Sequence, residues 1–528
     1  MTGAKWCRRE ESNPRPSHYE PNQIYLMINL KERSKSNAAL SENFWGLNFF
    51  AKNAWLRLFL FSFFLSLVYA KVVLHAFPNS ADEYVYIFQA ETYAALRLWN
   101  EVHPLQKFFE FIHIFSFDGK WVGRFPPGWP ITLTPWTVLN QEPWYVNPAL
   151  SASSVVIFFT IARKLHGIRV ALIASLTFST SAFYLLNSGS FFSHPLALLQ
   201  SLIFFYFGLL FLEKGNRFYL FLAGFFLGFL FITRPATAAL LGTTFLVFLQ
   251  LKSPLQKNLS FAYFLVGLSP FLIGIAIYNF AITGNAFQMV TQWHHPHERL
   301  GFVNGHGLIQ LITHTLRRII DLTIWALPTI FVLLYQSIKI LKNKKHLDGD
   351  DQYIVLEISL FVAVAVGYGF YYGYGGNQYG PRFWYECYPF LLLAVTAITF
   401  RGSAKSVVNG RGQRIYFFGF FIQILLVFPI TIFFYLAIGQ RMDLFSQAEN
   451  LRLKEAVIFV RDGTGYLKGM PVQDLLRNNI SIDNDPIYVR DFGYEESTSL
   501  MKFFPGRSAW LYRKSRNDTK GKLVPYLN

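Results

Sequence analysis

Two adjacent carboxylates, Asp82 and Glu83, follow directly on a long apolar run. A carboxylate there is close enough to a bilayer face to act on a lipid-linked substrate, and it can serve as a proton acceptor. The same pair also fits a local structural role. Ser80-x-x-Glu83 matches a capping box, and an aspartate near a helix start is favoured by the helix dipole. The two roles can coexist. A second chemistry-bearing group is His294-His295-Pro296-His297-Glu298, followed by His306 and His314. Neutral imidazoles with a carboxylate suit zinc or another divalent cation. Pro296 breaks any helix and so denies these residues a fixed ligand spacing; a polar loop on a lipid surface is the simpler reading, and no metal ligand is assigned. Two cysteines in 528 residues exclude a disulfide scaffold.

The elements that must position these residues are apolar. Charged residues make up 15% of the chain, too few to cover several soluble domains, while 52% AVILMFWYC excludes disorder. Eleven mostly apolar runs lie at about 54–76, 144–162, 168–187, 195–212, 217–233, 235–251, 260–281, 318–340, 353–373, 383–400 and 415–438. Each is long enough to cross about 30 Å of hydrocarbon as a helix. None alternates like a barrel strand, which predicts an all-α polytopic membrane protein of about eleven transmembrane helices.

Charge sets the orientation. Arg163, Lys164, Arg169, Lys214, Arg217, Lys252, Lys257, Lys339, Lys342, Lys344, Lys345, Arg401, Lys405, Arg411 and Arg414 fall in one set of short loops. The short loops of the other set hold little more than Arg234 and Arg382. The basic side reads as cytoplasmic. Fifteen of the 48 positive charges sit in these loops, so the net charge of +17 is read as marking topology in a plasma (inner) membrane and not a nucleic-acid partner. The N-terminus is then inside and the C-terminus outside. The expected organisation is a cytoplasmic tail at 1–52, a transmembrane unit at 53–439 with long outer loops at 77–143 and 282–317, and a C-terminal extracytoplasmic α/β domain at 440–528. Within the tail, Trp6 to Pro16 resembles a peptide read through a transfer-RNA region, which would place the true start at Met27.

In the first outer loop, residues 84–99 read as an amphipathic helix lying in the interface. The Pro and Gly residues of Phe125-Pro126-Pro127-Gly128-Trp129-Pro130 are expected to stop any helix and fix a rigid loop. In the C-terminal segment Ala456–Val460, Ile487–Val489 and Ser508–Tyr512 read as strands, and Leu451–Ala456 and Ser497–Phe503 as helices.

An ordered set of motifs carries a resemblance. Asp82-Glu83 is followed by Phe88-Gln89-Ala90-Glu91, Asp118-Gly119-Lys120-Trp121 and the Phe125–Pro130 stretch. Ser193-His194-Pro195, Thr233-Arg234-Pro235, Tyr278-Asn279, Thr283-Gly284-Asn285, Gly380-Pro381-Arg382-Phe383-Trp384-Tyr385-Glu386 and Pro389-Phe390 come next. Over roughly 77–400 the set resembles the GT-C class of membrane glycosyltransferases. It is most similar to the bacterial enzymes of glycosyltransferase family 39, which are protein mannosyltransferase-like, and to the aminoarabinose transferases of lipid A. The resemblance implies transfer of a sugar from a polyprenyl-phosphate-linked donor, at the outer face of the bilayer, to an extracytoplasmic acceptor such as a glycan, lipid or protein. It implies Asp82 as general base with Glu83 its catalytic neighbour.

The residues are consistent with that chemistry. A polyprenyl phosphate departs already ionised, so the donor side needs cations and not a general acid. Arg382, Arg234, Arg124 and Lys120 are the candidates for it, arginine presenting a fork suited to phosphate oxygens. Headgroup anchoring and loop solvation are the competing readings for them. Tyr379, in the glycine-rich stretch beside Arg382, and His194 are further candidates for substrate contact; a plain turn and simple packing compete. One carboxylate acting once implies inversion. Rival readings are a transporter or flippase of lipid-linked saccharides and a polysaccharide polymerase or ligase. Transporters usually carry charge at mid-membrane, whereas Asp321 and Glu357, the main charges assigned to spans, are expected near span ends.

Overall fold

The computed structural model describes residues 53–252, 258–294, 301–303, 305–344, 346–376, 378–401, 407–461, 472–514 and 520–526. The expected cytoplasmic tail at 1–52, its Met27 start and the residues His295 to Glu298 lie outside the described residues.

Every one of the eleven apolar runs is helical, but they are not alike. Among the described residues, seven helices are long and apolar enough to cross a membrane unbroken: Ala54–Val73, Pro143–His166, His194–Lys214, Pro235–Lys252, Phe261–Thr283, Gly349–Phe370 and Gly410–Arg441. The count reaches nine if each of two bent pairs is one span. The chain is a multi-pass membrane protein. The first bent pair is Ile168–Ser179 with Ala182–Gly189, turned by 61°. Ser181 restarts the helix there by accepting the Tyr184 N–H on its hydroxyl at 3.1 Å. The second pair, Leu308–Trp325 with Ile330–Lys342, turns by 106°. Pro328 lies in that break and cannot donate a helical hydrogen bond. The run expected to cross at 318–340 therefore does not do so as one straight helix, and its first part begins at Leu308, inside the expected outer loop.

Arg217–Thr233 and Tyr388–Phe400 are shorter, at 17 and 13 residues. The second is short because Arg382 to Glu386, at the head of the expected span, form a 3₁₀ turn and loop in place of a regular helix. Tyr388–Phe400 is nevertheless the centre of the bundle, with twelve of its residues buried. The outermost helices, Phe261–Thr283 and Gly410–Arg441, leave most of their apolar surface uncovered, as a lipid-facing helix requires.

Between the first two spans lies α1 (Ala81–Ala94), the amphipathic helix expected there, although it ends five residues earlier. The rest of that loop departs from expectation. Ile114–Phe117 (β2) pairs antiparallel with Lys120–Gly123 (β3), and Asn100–Glu101 (β1) adds a third strand. Asp118 and Gly119, with φ of 47° and 73°, make the tight turn between β2 and β3. The Pro and Gly residues do not stop a helix either: α2 (Gly128–Val138) starts immediately after Pro127. Pro130 occupies its first turn, where the absent N–H would have had no partner. Gly128 is required by contact, since a Cβ there would stand 2.4 Å from the Thr233 hydroxyl.

The C-terminal segment contains α3 (Asp443–Asn450) and the strands β4 (Ala456–Arg461), β5 (Ile487–Asp491), β6 (Ser508–Arg513) and β7 (Lys522–Pro525), in sheet order β5-β4-β6-β7. β4 runs parallel to β5 and β6, and α4 (Tyr494–Met501) lies between β5 and β6 in sequence. The helix expected at Leu451–Ala456 is replaced by α3, which ends where Arg452 turns left-handed at φ 49°. Val85, Phe88, Phe108 and Trp121 of the first outer loop share one hydrophobic core with Leu444, Phe459, Leu500 and Tyr512. The C-terminal unit and the first loop thus bury each other's apolar faces.

Candidate active site

Ser80 caps α1 and presents Asp82 and Glu83 in its first turn. The capping box is complete: the Glu83 N–H donates to the Ser80 hydroxyl at 3.3 Å, and the Ser80 N–H donates to Glu83 Oε2 at 2.8 Å. The other carboxylate oxygen of Glu83 accepts the Phe191 N–H at 2.9 Å. Glu83 is fully buried and ties α1 to the loop ahead of His194–Lys214. Burial pushes its carboxyl up to about 7, against the opposing pull of the Phe191 and Ser80 hydrogen bonds. Removing it in Glu83→Ala leaves two buried N–H groups unsatisfied, at about 1–3 kcal/mol each. The expected result is a clear fall in melting temperature of the purified protein; an unchanged melting temperature would contradict this placement.

Asp82 lies on the opposite edge of the same turn, with 21% of its side chain exposed. Its Oδ2 accepts from Arg382 Nη2 at 3.0 Å, and its Oδ1 stands 3.3 Å from His113 Nε2. The Arg124 guanidinium donates to His113 Nδ1 at 2.9 Å. Because Nδ1 accepts, a neutral His113 carries its proton on Nε2, facing Asp82. His113 holds a left-handed φ of 72° beside the hairpin, a conformation costly for a non-glycine residue. Burial alone would raise the Asp82 carboxyl, but Arg382, His113 and Arg124 outweigh it and hold it well below the usual carboxylate range. Asp82 is thus an ionised carboxylate in a cationic recess.

Arg382 carries more hydrogen-bonding capacity than the protein uses. Its guanidinium lies over the Phe192 ring at 4.4 Å, and its Nε and Nη1 are buried without a hydrogen-bond partner among the described residues. Orphaned guanidinium N–H groups are costly, and an anion that accepts them relieves that cost.

A second network lies beside the first. Glu386 Oε1 accepts a hydrogen bond from His194 Nδ1 at 2.9 Å and lies 3.1 Å from Arg234 Nε. Arg234 further reaches His194 Nε2 at 3.4 Å and the Tyr368 hydroxyl at 3.2 Å. His194 and Glu386 are buried. Tyr86 of α1 links the two networks, its hydroxyl 3.3 Å from Ser193 and within electrostatic range of Asp82, Arg234 and Arg382.

The structure therefore gathers Asp82, Glu83, Arg382, Arg124, Arg234 and His194. It places Lys120 elsewhere and packs Tyr379 behind the site, against the Phe192 ring that underlies Arg382. Lys120 donates to the carbonyls of Ala281 and Ile282 at 3.0 and 3.2 Å and covers the Trp99 ring, closing a helix end. Tyr379 is fully buried, its hydroxyl accepting from Asn79 and its carbonyl from Asn187. His113 carries no sequence signal, and Glu386 stands in the Gly380 to Glu386 motif without a role that the sequence assigns. Glu357, expected near a span end, sits well inside Gly349–Phe370, where it is buried against His166 at 2.8 Å. His306 is engaged with the Gly369 carbonyl at 3.0 Å, and among the described residues no group of three or more His, Cys, Asp or Glu side chains is arranged to hold a metal ion.

The chain has the GT-C fold of the solved transferase that it matches. It matches the structure of ArnT from Cupriavidus metallidurans bound to undecaprenyl phosphate, with a TM-score of 0.55 at 12% identity, over 89% of this chain and 97% of that one. The apo structure of the same ArnT gives 0.52 at 14% identity, over 88% and 93%. ArnT is an aminoarabinose transferase. No protein-family model and no curated protein matches the chain.

Proposed function

We propose that the protein transfers a sugar from a polyprenyl-phosphate donor to an acceptor hydroxyl at the outer face of the membrane. The observation that carries this reading is Asp82, an ionised carboxylate, sharing Arg382 with two unused buried N–H groups. The donor phosphate takes those N–H groups. Asp82 accepts the proton of the acceptor hydroxyl as that oxygen forms its bond to the anomeric carbon and the bond to the phosphate oxygen breaks. The leaving phosphate keeps its electron pair and needs charge stabilisation but no proton, which Arg382 supplies with Arg124 nearby. A single displacement of this kind inverts the anomeric centre. Glu83 holds α1 in place, and the Glu386–His194–Arg234 network braces the loop beneath Arg382. The ArnT relative, solved with undecaprenyl phosphate, supports the donor class.

The same reading includes eleven passages through the membrane, with the basic loops cytoplasmic and the C-terminal unit outside. The test of the donor class is the source of label. Membranes containing the protein should move radiolabelled sugar from a polyprenyl phosphate to endogenous acceptor. Transfer from a soluble nucleotide sugar with no polyprenyl phosphate present would refute the reading.

A further inference from the structure

The segment that enters α1 is held from the far end of the sequence. Arg477 lies between β4 and β5, and its side chain is buried. Its Nη1 donates to the Pro78 carbonyl at 2.6 Å, and its Nε to the Asp474 carbonyl at 3.1 Å. Its guanidinium stacks on Phe77 at 4.5 Å. Arg441, closing the last long helix, donates to both the carbonyl and the side-chain oxygen of Asn79, the latter at 2.7 Å. The Asn79 amide in turn donates to Tyr379 at 3.0 Å. Beyond the cap, the Tyr84 hydroxyl donates to the Asn478 carbonyl.

Two arginines therefore grip the two carbonyls immediately before Ser80, and Asp82 follows two residues later. Apolar packing between the C-terminal unit and the first loop would suffice for adhesion, but it sets no direction. Hydrogen bonds from a rigid guanidinium do set one. Burying Arg477 carries a desolvation cost that its carbonyl acceptors, Asp474 and the Phe77 ring offset.

We propose that Arg477 and Arg441 form a clamp that sets the position of Asp82, so that the C-terminal unit is a working part of the active site. The proposal rests on Asp82 being the base. Arg477 touches no reacting atom and is a positioning residue. Displacement of a catalytic group by about 1 Å costs roughly a hundredfold in rate. Released from the clamp, Asp82 moves away from Arg382, His113 and Arg124, while Asp474, Glu83 and Tyr86 still face it. Its carboxyl then loses the cations that keep it ionised, and the acid limb of activity moves to higher pH.

The test compares the full-length native protein with Arg477→Met, Arg477→Lys and Asp82→Asn. Hydrogen exchange is read at the Ser80 and Glu83 amides, and kcat, donor KM and the pH profile are measured per folded molecule. Arg477→Met should lose amide protection, lower kcat by about tenfold to a hundredfold at nearly constant donor KM, and shift the acid limb upward. Arg477→Lys, which keeps one donor, should recover part of all three. Should Arg477→Met fail to fold, the acid limb of Arg477→Lys decides. Unchanged protection overturns the clamp, and so does lost protection with native kcat and acid limb. Full activity in Asp82→Asn would instead refute the base, while the exchange data still report on the clamp.

Discussion

Asp82→Asn should lower transfer by about a hundredfold to ten-thousandfold while leaving the protein folded in the membrane. The asparagine oxygen still accepts from Arg382, so the recess keeps one of its two contacts. Its amide has no pair of electrons with which to take the proton of an attacking hydroxyl. The second oxygen becomes an N–H facing His113 Nε2, and the imidazole can meet it by moving its proton to Nδ1. That move forfeits the Arg124 hydrogen bond at Nδ1, because a protonated Nδ1 cannot accept, a cost of about 1–3 kcal/mol that leaves the protein folded. Donor KM should hardly change, because the phosphate contacts come from arginine. A kcat loss without a KM rise separates a proton-transfer role from a binding role. If the only effect were a rise in KM, Asp82 would be a binding residue and the base would lie elsewhere.

Arg382→Met is expected to raise donor KM by about tenfold to a hundredfold, the equivalent of one lost charge-assisted hydrogen bond pair. It has a second effect with a definite sign. Arg382 is the strongest of the cations that hold the Asp82 carboxyl low. Without it burial dominates, the carboxyl titrates higher, and activity falls off at a higher pH as the medium is acidified. The native protein should stay ionised at Asp82, and so active, below about pH 4, where an ordinary aspartate is already half protonated. Arg382→Lys should keep most of the pH profile, because charge remains, yet lose part of the donor affinity, because the fork is gone. An Arg382→Met variant with native KM and native acid limb would remove Arg382 from both roles. The pairing also suggests how donor and base are coupled. A phosphate bound at Arg382 offsets the cation next to Asp82, raising its proton affinity when the acceptor must be deprotonated.

The chain states some of this openly. Apolar runs separated by basic loops announce the bundle, and an acidic pair at the exit of the first run stands out because charge is scarce there. Ser80 and Glu83 announce their own cap. Other features were legible but call for closer reading. Asp118-Gly119 between two short apolar segments is a hairpin signal, and Pro328 marks the break in the eighth run. His113 is different in kind. It is one histidine in a loop without periodicity, and only the hairpin and its strained φ bring it to Asp82. Glu386, His194 and Arg234 sit on three segments far apart in sequence, so their network exists only after the bundle packs. Lys120 illustrates the converse. A lone basic residue at an interface reads as a phosphate ligand until the C-terminal carbonyls of a neighbouring helix claim it.

The most direct test reconstitutes purified native protein and Asp82→Asn side by side in liposomes with labelled polyprenyl-phosphate sugars and an extract of envelope acceptors. Melting temperature is recorded for both. The account predicts that only the native protein moves label to acceptor from a polyprenyl phosphate, and that both remain folded. Equal transfer by the two proteins, or transfer that proceeds from a nucleotide sugar alone, would contradict it.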